Sequence, residues 1–418
     1  MGHGTLVGHL YSCAYTIFIT LIQSLAMGSN DHPVPRVTPD VDFLPSCSVI
    51  PSGTPAERLT DDLVVEILSR VSAKVVCRSK CVSKHWLGLI NHPDHRKRLP
   101  QTLAGFFYGS NITGHLPFHF TSVSGDRRPP FGTSFTFLPN HHLPVDLLDS
   151  CNGLLLCRCY HVSDGVGAFQ YVVCNPATEK WAVLPNSGKA TDNVAIICLG
   201  FDPALSSHFH VFELVVEHNY SQDTDLSGVA VYSSETGEWV YKEERWIGEA
   251  TWLAGRHSST AVFLDGLLFF SAFDPDLYDC VAAVDTKGET WMKFRAPSGQ
   301  VDDGFIHLSQ GHLHFANFQR DNDGVAIRFV VYVLENYQTG EWILKHGIET
   351  SNMFGWTDLC PDGGFDFIAI HLECNLVFFA ADGIILVCYN MDNRRVKVIS
   401  YLADVKPLSF LPYVPLYT

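Results

Sequence analysis

The chain has 418 residues, of which 46% are hydrophobic and 17% charged, and its formal net charge is −16. This composition is ordinary for a globular protein and excludes a chain that is disordered throughout. The acidic balance argues against a general nucleic-acid binder, so no nucleic-acid partner is expected. Most of the 13 cysteines stand inside apolar runs, which favours buried free thiols in a reducing compartment.

The first 56 residues, 1–56, combine an apolar stretch with a flexible lead-in. Residues 6–26 are apolar over the shortest length that a membrane-spanning helix needs. They fit an anchor, a signal peptide, or an extension upstream of a working start at Met27. The residues that follow are rich in Pro, Ser and Asp. We expect a cytoplasmic or nuclear protein, which contacts a membrane only if residues 6–26 are a real anchor.

A short helical region is predicted over residues 57–98. Thr60 is placed to cap a first helix, whose apolar residues recur at four-residue spacing. A second helix is expected over residues 74–81 and a third over 83–91, ending before Pro93. Three such helices bury little surface alone, so the region either packs on the rest of the chain or docks onto a partner.

The stretch RLTDDLVVEILSRVSAKVVCRSKCVSKHWLGLI resembles an F-box in the order and spacing of its residues. The resemblance implies docking onto a Skp-type adaptor and, through it, onto a cullin-RING ubiquitin ligase. Two Leu-Pro pairs that are usual in this motif are replaced by Leu59-Thr60 and Val71-Ser72, and the first change removes a fixed helix start. The side chains expected to bind the adaptor are Leu59, Leu63, Ile67, Leu68, Val71, Val82, Trp86 and Ile90.

Residues 101–418 contain a repeat. A Trp-bearing motif recurs as NPATEKW, SSETGEW, DTKGETW and NYQTGEW, and NMDNRRV is a fifth copy with Val396 in place of Trp. Six residues before each Trp stands a turn-forming residue. Upstream of most copies lies a second unit, as in SCNGLLLC, FLDGLLFF, SQGHLHF and AADGIILV. Each repeat therefore predicts a Gly turn, two apolar strands, a tight turn and a Trp-bearing strand.

Four strands that recur about every 50 residues are the signature of a kelch-like β-propeller, which would have six or seven blades here. The alternative is a β-sandwich with accidental Trp spacing. The segments DSCNGLLL and CNPATEKW resemble the kelch-like associated domain of plant F-box proteins. Trp239, Trp291 and Trp342 are predicted to pack between blades rather than against a ligand. The expected fold is thus a small three-helix F-box followed by an all-β propeller.

No catalytic or nucleotide-binding motif is found, and no cofactor, catalytic residue or metal is expected. Two pairs of histidines, at 208 and 210 and at 312 and 314, fit ordinary strands far better than a metal site. The favoured function is the non-catalytic substrate-recognition subunit of an SCF-type ubiquitin ligase. The alternative is a propeller enzyme or a lectin-like protein, which could be secreted, with a merely structural helical segment.

The client protein is expected to bind the loops between the second and third strands of the repeats. These loops fall at 159–169, 218–228, 273–280 and 318–325 and combine many acids with a few aromatics. Aromatic anchors beside charge are common at protein interfaces, and the acids predict a basic client. The alternative is that exposed turns are simply rich in Asp. The residues expected to bind the client are Tyr220, Asp274, Asp276, Tyr278, Phe318, Asp321 and Asp323.

Overall fold

The chain forms two compact units, Met1–Pro100 and Gln101–Thr418, in a computed structural model. The residues that the structure describes are 60–71, 75–76, 79–80, 82–96, 98–99, 103–110, 118–123, 131, 133–139, 143–161, 168–190, 193–218, 224–243, 252–253, 261–274, 276–297, 304–322, 325–337, 339–354, 365–381, 383–402 and 407–416. The apolar segment 6–26 lies outside them. None of the helices within these ranges has the length and apolar character to cross a membrane.

The first unit is helical. Its helices are α1 (Asp61–Leu68), α2 (Lys84–Asn91) and α3 (Pro93–Arg96). Thr60 precedes α1, as predicted, although its side chain makes no capping hydrogen bond. Ser83 caps α2, because its hydroxyl accepts a hydrogen bond of 3.1 Å from the Trp86 N–H. Val75 and Ser79 are helical where the second helix was expected, and the Ser79 hydroxyl donates to the Val75 carbonyl over 2.9 Å.

The second unit is a six-bladed β-propeller, so the propeller prediction is confirmed and the smaller of the two blade counts is correct. Blade 1 contains β1 (Gly105–Ser110), β2 (Phe118–Ser122) and the last strand, β24 (Pro407–Tyr413). Blade 2 contains β3 (Val145–Cys151), β4 (Leu154–Tyr160), β5 (Phe169–Asn175) and β6 (Lys180–Val183). Blade 3 contains β7 (Val194–Gly200), β8 (His210–His218), β9 (Thr224–Ser233) and β10 (Glu238–Glu243).

The remaining blades have the same up-and-down order. A short strand, β11 (Trp252–Leu253), precedes blade 4 and joins its sheet to that of blade 3. Blade 4 contains β12 (Ala261–Leu264), β13 (Leu267–Asp274), β14 (Tyr278–Asp285) and β15 (Trp291–Arg295). Blade 5 contains β16 (Phe305–Ser309), β17 (His312–Arg320), β18 (Ala326–Asn336) and β19 (Glu341–Glu349), and helix α4 (Thr350–Phe354) follows it. Blade 6 contains β20 (Phe365–Ile370), β21 (Leu376–Ala381), β22 (Ile385–Asn390) and β23 (Arg395–Tyr401).

Because the strands alternate in direction, their connections lie on two faces. The turn face carries the turns between first and second strands and between third and fourth strands. The loop face carries the loops between second and third strands and the connections from one blade to the next. These two names are used below.

The ring closes where the two ends of the propeller meet. Strand β24 pairs with β1, with Phe107 opposite Leu411, so blade 1 is assembled from both ends of the domain. The chain then continues beneath blade 2, where the Asn175 side chain donates to the Leu416 carbonyl over 2.7 Å. Gly153 touches the same tail, and a Cβ built there would lie 2.3 Å from the Cβ of Leu416.

The turn face explains the repeated sequence motifs. In blades 2, 4 and 5, the turn between first and second strands has two consecutive residues at positive φ, such as Asn152 (46°) and Gly153 (90°), which the two-residue hairpin turn requires. The turn-forming residue six positions before Trp acts through its side chain. For example, the Asn175 carbonyl oxygen accepts from the Ala177 N–H over 2.9 Å, and Asp285 Oδ1 accepts from the Glu289 N–H over 2.8 Å.

One part of the predicted repeat alignment is wrong. The AADGIILV unit was aligned with Gly turns that join first to second strands. In the structure its Gly383 lies between β21 and β22, which are the second and third strands of blade 6. The sequence could not show this, because a Gly after a polar residue suits either hairpin.

The apolar core lies mainly between the blades. The cluster shared by blades 3 and 4 has 13 buried residues, among them Phe212 and Phe270. The predicted packing of Trp residues between blades is confirmed. Trp239 packs on a cluster shared by blades 2 and 3, Trp291 on that of blades 3 and 4, and Trp342 on that of blades 4 and 5. The Trp342 indole N–H also donates to the Arg295 carbonyl of the preceding blade over 3.1 Å.

Candidate partner-binding surfaces

The helical unit closes its own small core. Most side chains expected at the adaptor interface are buried inside it, namely Ile67, Leu68, Val71, Trp86 and Ile90, and Val82 is half-buried against them. Leu63 is different, because it is 39% exposed on α1. Leu87 on α2 is 40% exposed and was missed, since only every third or fourth residue of that helix was assigned to the apolar face. Leu59 lies outside the described residues.

Ion pairs fix the surface around this core. Glu66 on α1 accepts from the Arg70 guanidinium, with Nε at 3.0 Å, and from Arg98 at 2.9 Å. The Arg70 guanidinium, together with Arg98, holds the pKa of the Glu66 carboxyl below its usual value. His85 Nε2 lies 2.8 Å from Asp61 Oδ1 and joins the first turns of α1 and α2. These contacts orient the two helices that carry Leu63 and Leu87.

On the loop face, Asp274 has a structural role. It is 1% exposed, its Oδ2 pairs with the Lys293 ammonium, and its Oδ1 accepts from the N–H groups of Asp276 and Leu277 at 2.9 Å. Burial alone would raise the pKa of Asp274, but Lys293 and the two N–H donors outweigh burial and hold the pKa below its ordinary value. This carboxylate closes the loop and is not presented to a partner.

The other predicted client residues fall in different places. Asp276 and Asp321 are exposed, and Asp321 Oδ1 accepts from the Val325 N–H over 2.9 Å. Phe318 is buried in the cluster shared by blades 5 and 6. Tyr220 and Asp323 lie outside the described residues, as does the side chain of Tyr278. The exposed acids are therefore the part of this set that a partner could reach.

The structure brings two of the predicted loops together. Trp252 in β11 pairs with both Asp225 of the blade 3 loop and Phe273 of the blade 4 loop. Beside the blade 5 loop, the structure also exposes two apolar side chains that the sequence interpretation missed. Val325 is 59% exposed and Ile327 is 44% exposed. Val325 ends the predicted loop and was passed over because only acids and aromatics were selected there, whereas Ile327 lies in β18 and an apolar residue in a strand is usually assigned to the core.

The described residues contain no group of three His, Cys, Asp or Glu side chains that could hold a metal ion. Of the blade 5 pair His312 and His314, the first is exposed and only the second is packed in the interior. His314 is buried, accepts from the Lys345 ammonium at 3.1 Å and stands opposite His307 on β16. Burial lowers the pKa of both imidazoles to about 4, so both are neutral at pH 7.

Both units match models of known domains. A model of the F-box domain matches residues 57–98, and a model of the F-box associated beta propeller domain matches residues 117–404. The chain is 27% identical over 309 residues to the F-box protein At5g07610 of Arabidopsis thaliana, which covers 69% of this chain and 70% of that protein. It is 22% identical over 343 residues to the putative F-box protein At1g47790 of the same species, which covers 76% and 81%.

Proposed function

Because the chain belongs to the F-box proteins that carry an F-box associated β-propeller domain, we propose that it is the substrate-recognition subunit of an SCF-type ubiquitin ligase. The helical unit docks onto a Skp-type adaptor, and the propeller holds a client protein. Ubiquitin transfer belongs to the cullin-RING subunits, so this chain is a non-catalytic receptor that works in the cytoplasm or nucleus. Its contribution to rate is the high local concentration of client beside the ubiquitin carrier.

The exposed leucines of the helical unit are the observation that carries this proposal. Ile67, Trp86 and Ile90 already fill the core, yet Leu63 and Leu87 remain on the surface. A unit this small gains stability if a partner covers such apolar side chains. The buried residues of the predicted set then support the adaptor surface from beneath, and Leu63 contacts the adaptor itself.

Adaptor capture by single variants tests this arrangement. Leu63→Asp places a charge in an apolar interface and should weaken capture of a Skp-type adaptor by about tenfold or more. Leu205→Asp is the matched control, since Leu205 is 52% exposed on the propeller. Capture of Leu63→Asp at the wild-type level would refute the proposal. Ile67→Asp is unsuitable, because a charge in the core would unfold the helical unit.

We place the client on the loop face, around Asp276, Asp321, Val325 and Ile327. Exposed acids beside apolar side chains suit a client that presents basic residues next to hydrophobic ones. The double variant Asp276→Lys/Asp321→Lys should weaken binding of a synthetic Lys-rich peptide and make it less sensitive to salt. Glu235→Lys/Glu238→Lys changes the charge equally on exposed residues of the turn face and serves as control. Equal loss in both double variants would mean that net charge, rather than this surface, binds the peptide.

A further inference from the structure

The interface between blades 2 and 3 differs from its neighbours. Its apolar cluster has six buried residues, Leu156, Val173, Leu184, Leu199, Val211 and Tyr232. The interface between blades 3 and 4 has 13 among the same described parts of the chain. One buried side chain on this side of blade 3 is charged, namely Glu213, which stands between the buried Val211 and Val215 on the same strand face.

Glu213 occupies a position that blades 4, 5 and 6 fill with phenylalanine and blade 2 fills with Cys157. It is the fourth residue of the second strand, and it shares a strand face with Val211, which packs on blade 2. The fourth residue of the second strand is Phe270 in blade 4, Phe315 in blade 5 and Phe379 in blade 6, and all three are buried. A carboxylate at this position lacks the apolar packing that the phenylalanine provides in those three blades.

The Glu213 carboxylate is buried without full compensation. The side chain is 2% exposed, and Oε2 has no hydrogen-bond partner within the described chain. Burial raises the pKa of Glu213, against the opposing effects of the Ser187 hydroxyl and the Lys189 ammonium. A buried acid with an unpaired oxygen destabilises a fold unless a cation or a donor reaches it.

A cation is already close to this acid. The connection between blades 2 and 3 passes over the interface, and Lys189 within it places its ammonium 3.1 Å from the ring centroid of Tyr241. The same connection is held by the Ser187 hydroxyl, which accepts from the Lys189 N–H over 3.3 Å. Tyr241 and Glu213 lie on the same sheet face, because both stand opposite Ala230 in adjacent strand pairs. An aromatic face and a carboxylate together form a site for an organic cation.

The charges around Glu213 favour a positive ligand. On blade 2, Arg158 lies 3.8 Å from Asp146, so this pair is internally neutralised. Burial raises the pKa of Tyr171 on blade 2, Arg158 opposes this and Glu213 adds to it, so both charges lie within electrostatic range of the phenol. If Lys189 leaves, these groups carry one net negative charge, located on a buried carboxylate.

We propose that this site between blades 2 and 3 binds a lysine or arginine side chain of the client, and that Lys189 occupies it in the unbound protein. The pocket consists of Glu213, Tyr241 and Tyr171, and the 184–190 connection acts as an internal competitor. This inference rests on the proposed function only in assigning the bound side chain to a client protein. The 184–190 connection belongs to the loop face, so a client side chain that displaces Lys189 would reach the site from the face where the exposed acids hold the rest of the client.

Binding of a small cation to the full chain tests the pocket directly. The probe is Nα-acetyl-lysine methylamide, and the neutral control is Nα-acetyl-norleucine methylamide. Lys189→Ala vacates the site and should bind the lysine probe at least tenfold more tightly than the wild type, measured by calorimetry or saturation-transfer NMR. Lys189→Gln, which retains a polar side chain, should behave in the same way. The neutral probe should bind all variants equally weakly.

The second substitution assigns the effect to Glu213. In Lys189→Ala/Glu213→Gln the gain should disappear while the thermal unfolding midpoint stays at or above that of Lys189→Ala, because a buried charge has been removed. The inference is overturned if neither Lys189 variant gains affinity, or if the gain survives in the double variant. Neither adaptor nor client is present in this assay. A negative result with the lysine probe therefore does not affect the adaptor-capture test. A negative adaptor-capture test likewise does not affect the result with the probe.

Discussion

The two faces of the propeller use polar side chains in different ways. On the turn face they bind the neighbouring blade: the Asn152 amide donates to the Phe201 carbonyl over 2.7 Å, and the Ser309 hydroxyl donates to the His371 carbonyl over 2.7 Å. On the loop face, Asp276 and Asp321 are exposed and the loops differ in length from blade to blade. The similarity among repeats therefore reflects ring assembly, and recognition belongs to the face that varies.

The loop face itself contains an exception, and the largest predicted effect tests it. Asp274→Ala should lower the free energy of unfolding by about 3–5 kcal/mol, because it removes the buried carboxylate that pairs with Lys293 and opens the turn. Asp276→Ala, two residues later and exposed, should change it by less than about 0.5 kcal/mol. Denaturant unfolding of both variants measures the difference. Equal stability of the two would show that the Asp274 carboxylate does not hold the loop.

The next effect contrasts two turns of the turn face. Gly153→Ala adds a Cβ that would meet the Leu416 side chain and backbone, at a residue with φ of 90°. We expect a loss of about 3 kcal/mol from overpacking and backbone strain together. Gly311→Ala has a similar φ of 74° but nothing within 4 Å, and it should cost about 1 kcal/mol. Equal losses would mean that the tail beneath blade 2 contributes nothing to ring closure.

The sequence predicted what depends on local backbone chemistry. Turn-forming residues six positions before Trp, and Gly residues in two-residue turns, act within a few residues of their own position, so the pattern indicated them correctly. The Trp residues could be assigned to the blade interfaces because their period equals that of the blades. The blade count was left between six and seven, since blade 1 joins strands from both ends of the domain and no local pattern records such a pairing.

Side-chain burial was the part that the sequence could not give. Asp274 resembles any acid in an exposed turn until Lys293 of the next-but-one strand is placed beside it. Glu213 stands in an apolar strand, where a single acid suggests a solvent-facing position rather than a buried one. For Asp274 the deciding contact comes from another strand of the same blade, and for Glu213 it comes from the connection to the neighbouring blade, so neither can be read from the local sequence.

The pH dependence of the unfolding free energy tests the interior of blade 5 rather than either face. Burial lowers the pKa of His314 to about 4, so its stabilisation is present above its unfolded pKa and is lost as the pH falls. Between pH 7 and pH 5 this single group should cost about 2 kcal/mol of unfolding free energy. Asp149 acts in the opposite direction, because burial raises its pKa to about 6 and protonation then favours the folded state.

Comparison of His314→Gln with the wild type isolates the contribution of His314 to the pH dependence of stability, since Asp149 is present in both proteins. The variant, whose amide can still accept from Lys345, should lose about 2 kcal/mol less than the wild type over the same pH range. Denaturant unfolding at pH 7 and pH 5 gives the four values needed. Parallel losses in the two proteins would show that His314 is not the group that takes up the proton.

The smallest predicted effect concerns the fourth strand of a blade, which carries the repeated Trp. Trp239 is half-buried, its ring lies 5.5 Å from that of Tyr232, and its indole N–H donates to the Pro185 carbonyl over 2.8 Å. Full burial would make Trp→Ala cost about 3–5 kcal/mol, but partial exposure reduces the expected loss for Trp239→Ala to about 1.5 kcal/mol. Trp181→Ala, at the same motif position but 45% exposed, should cost less than about 0.5 kcal/mol.

Trp239→Phe keeps an aromatic ring on the interface but removes the donor to Pro185, so it divides the loss between packing and the hydrogen bond. We expect Phe to recover roughly a third of the stability lost by Ala, because a hydrogen bond of this kind contributes about 1 kcal/mol. Pro185 begins the connection that carries Lys189, so both Trp239 variants should also bind the lysine probe more tightly than the wild type. If Trp181→Ala and Trp239→Ala lose equal stability, the repeated Trp does not join one blade to the next.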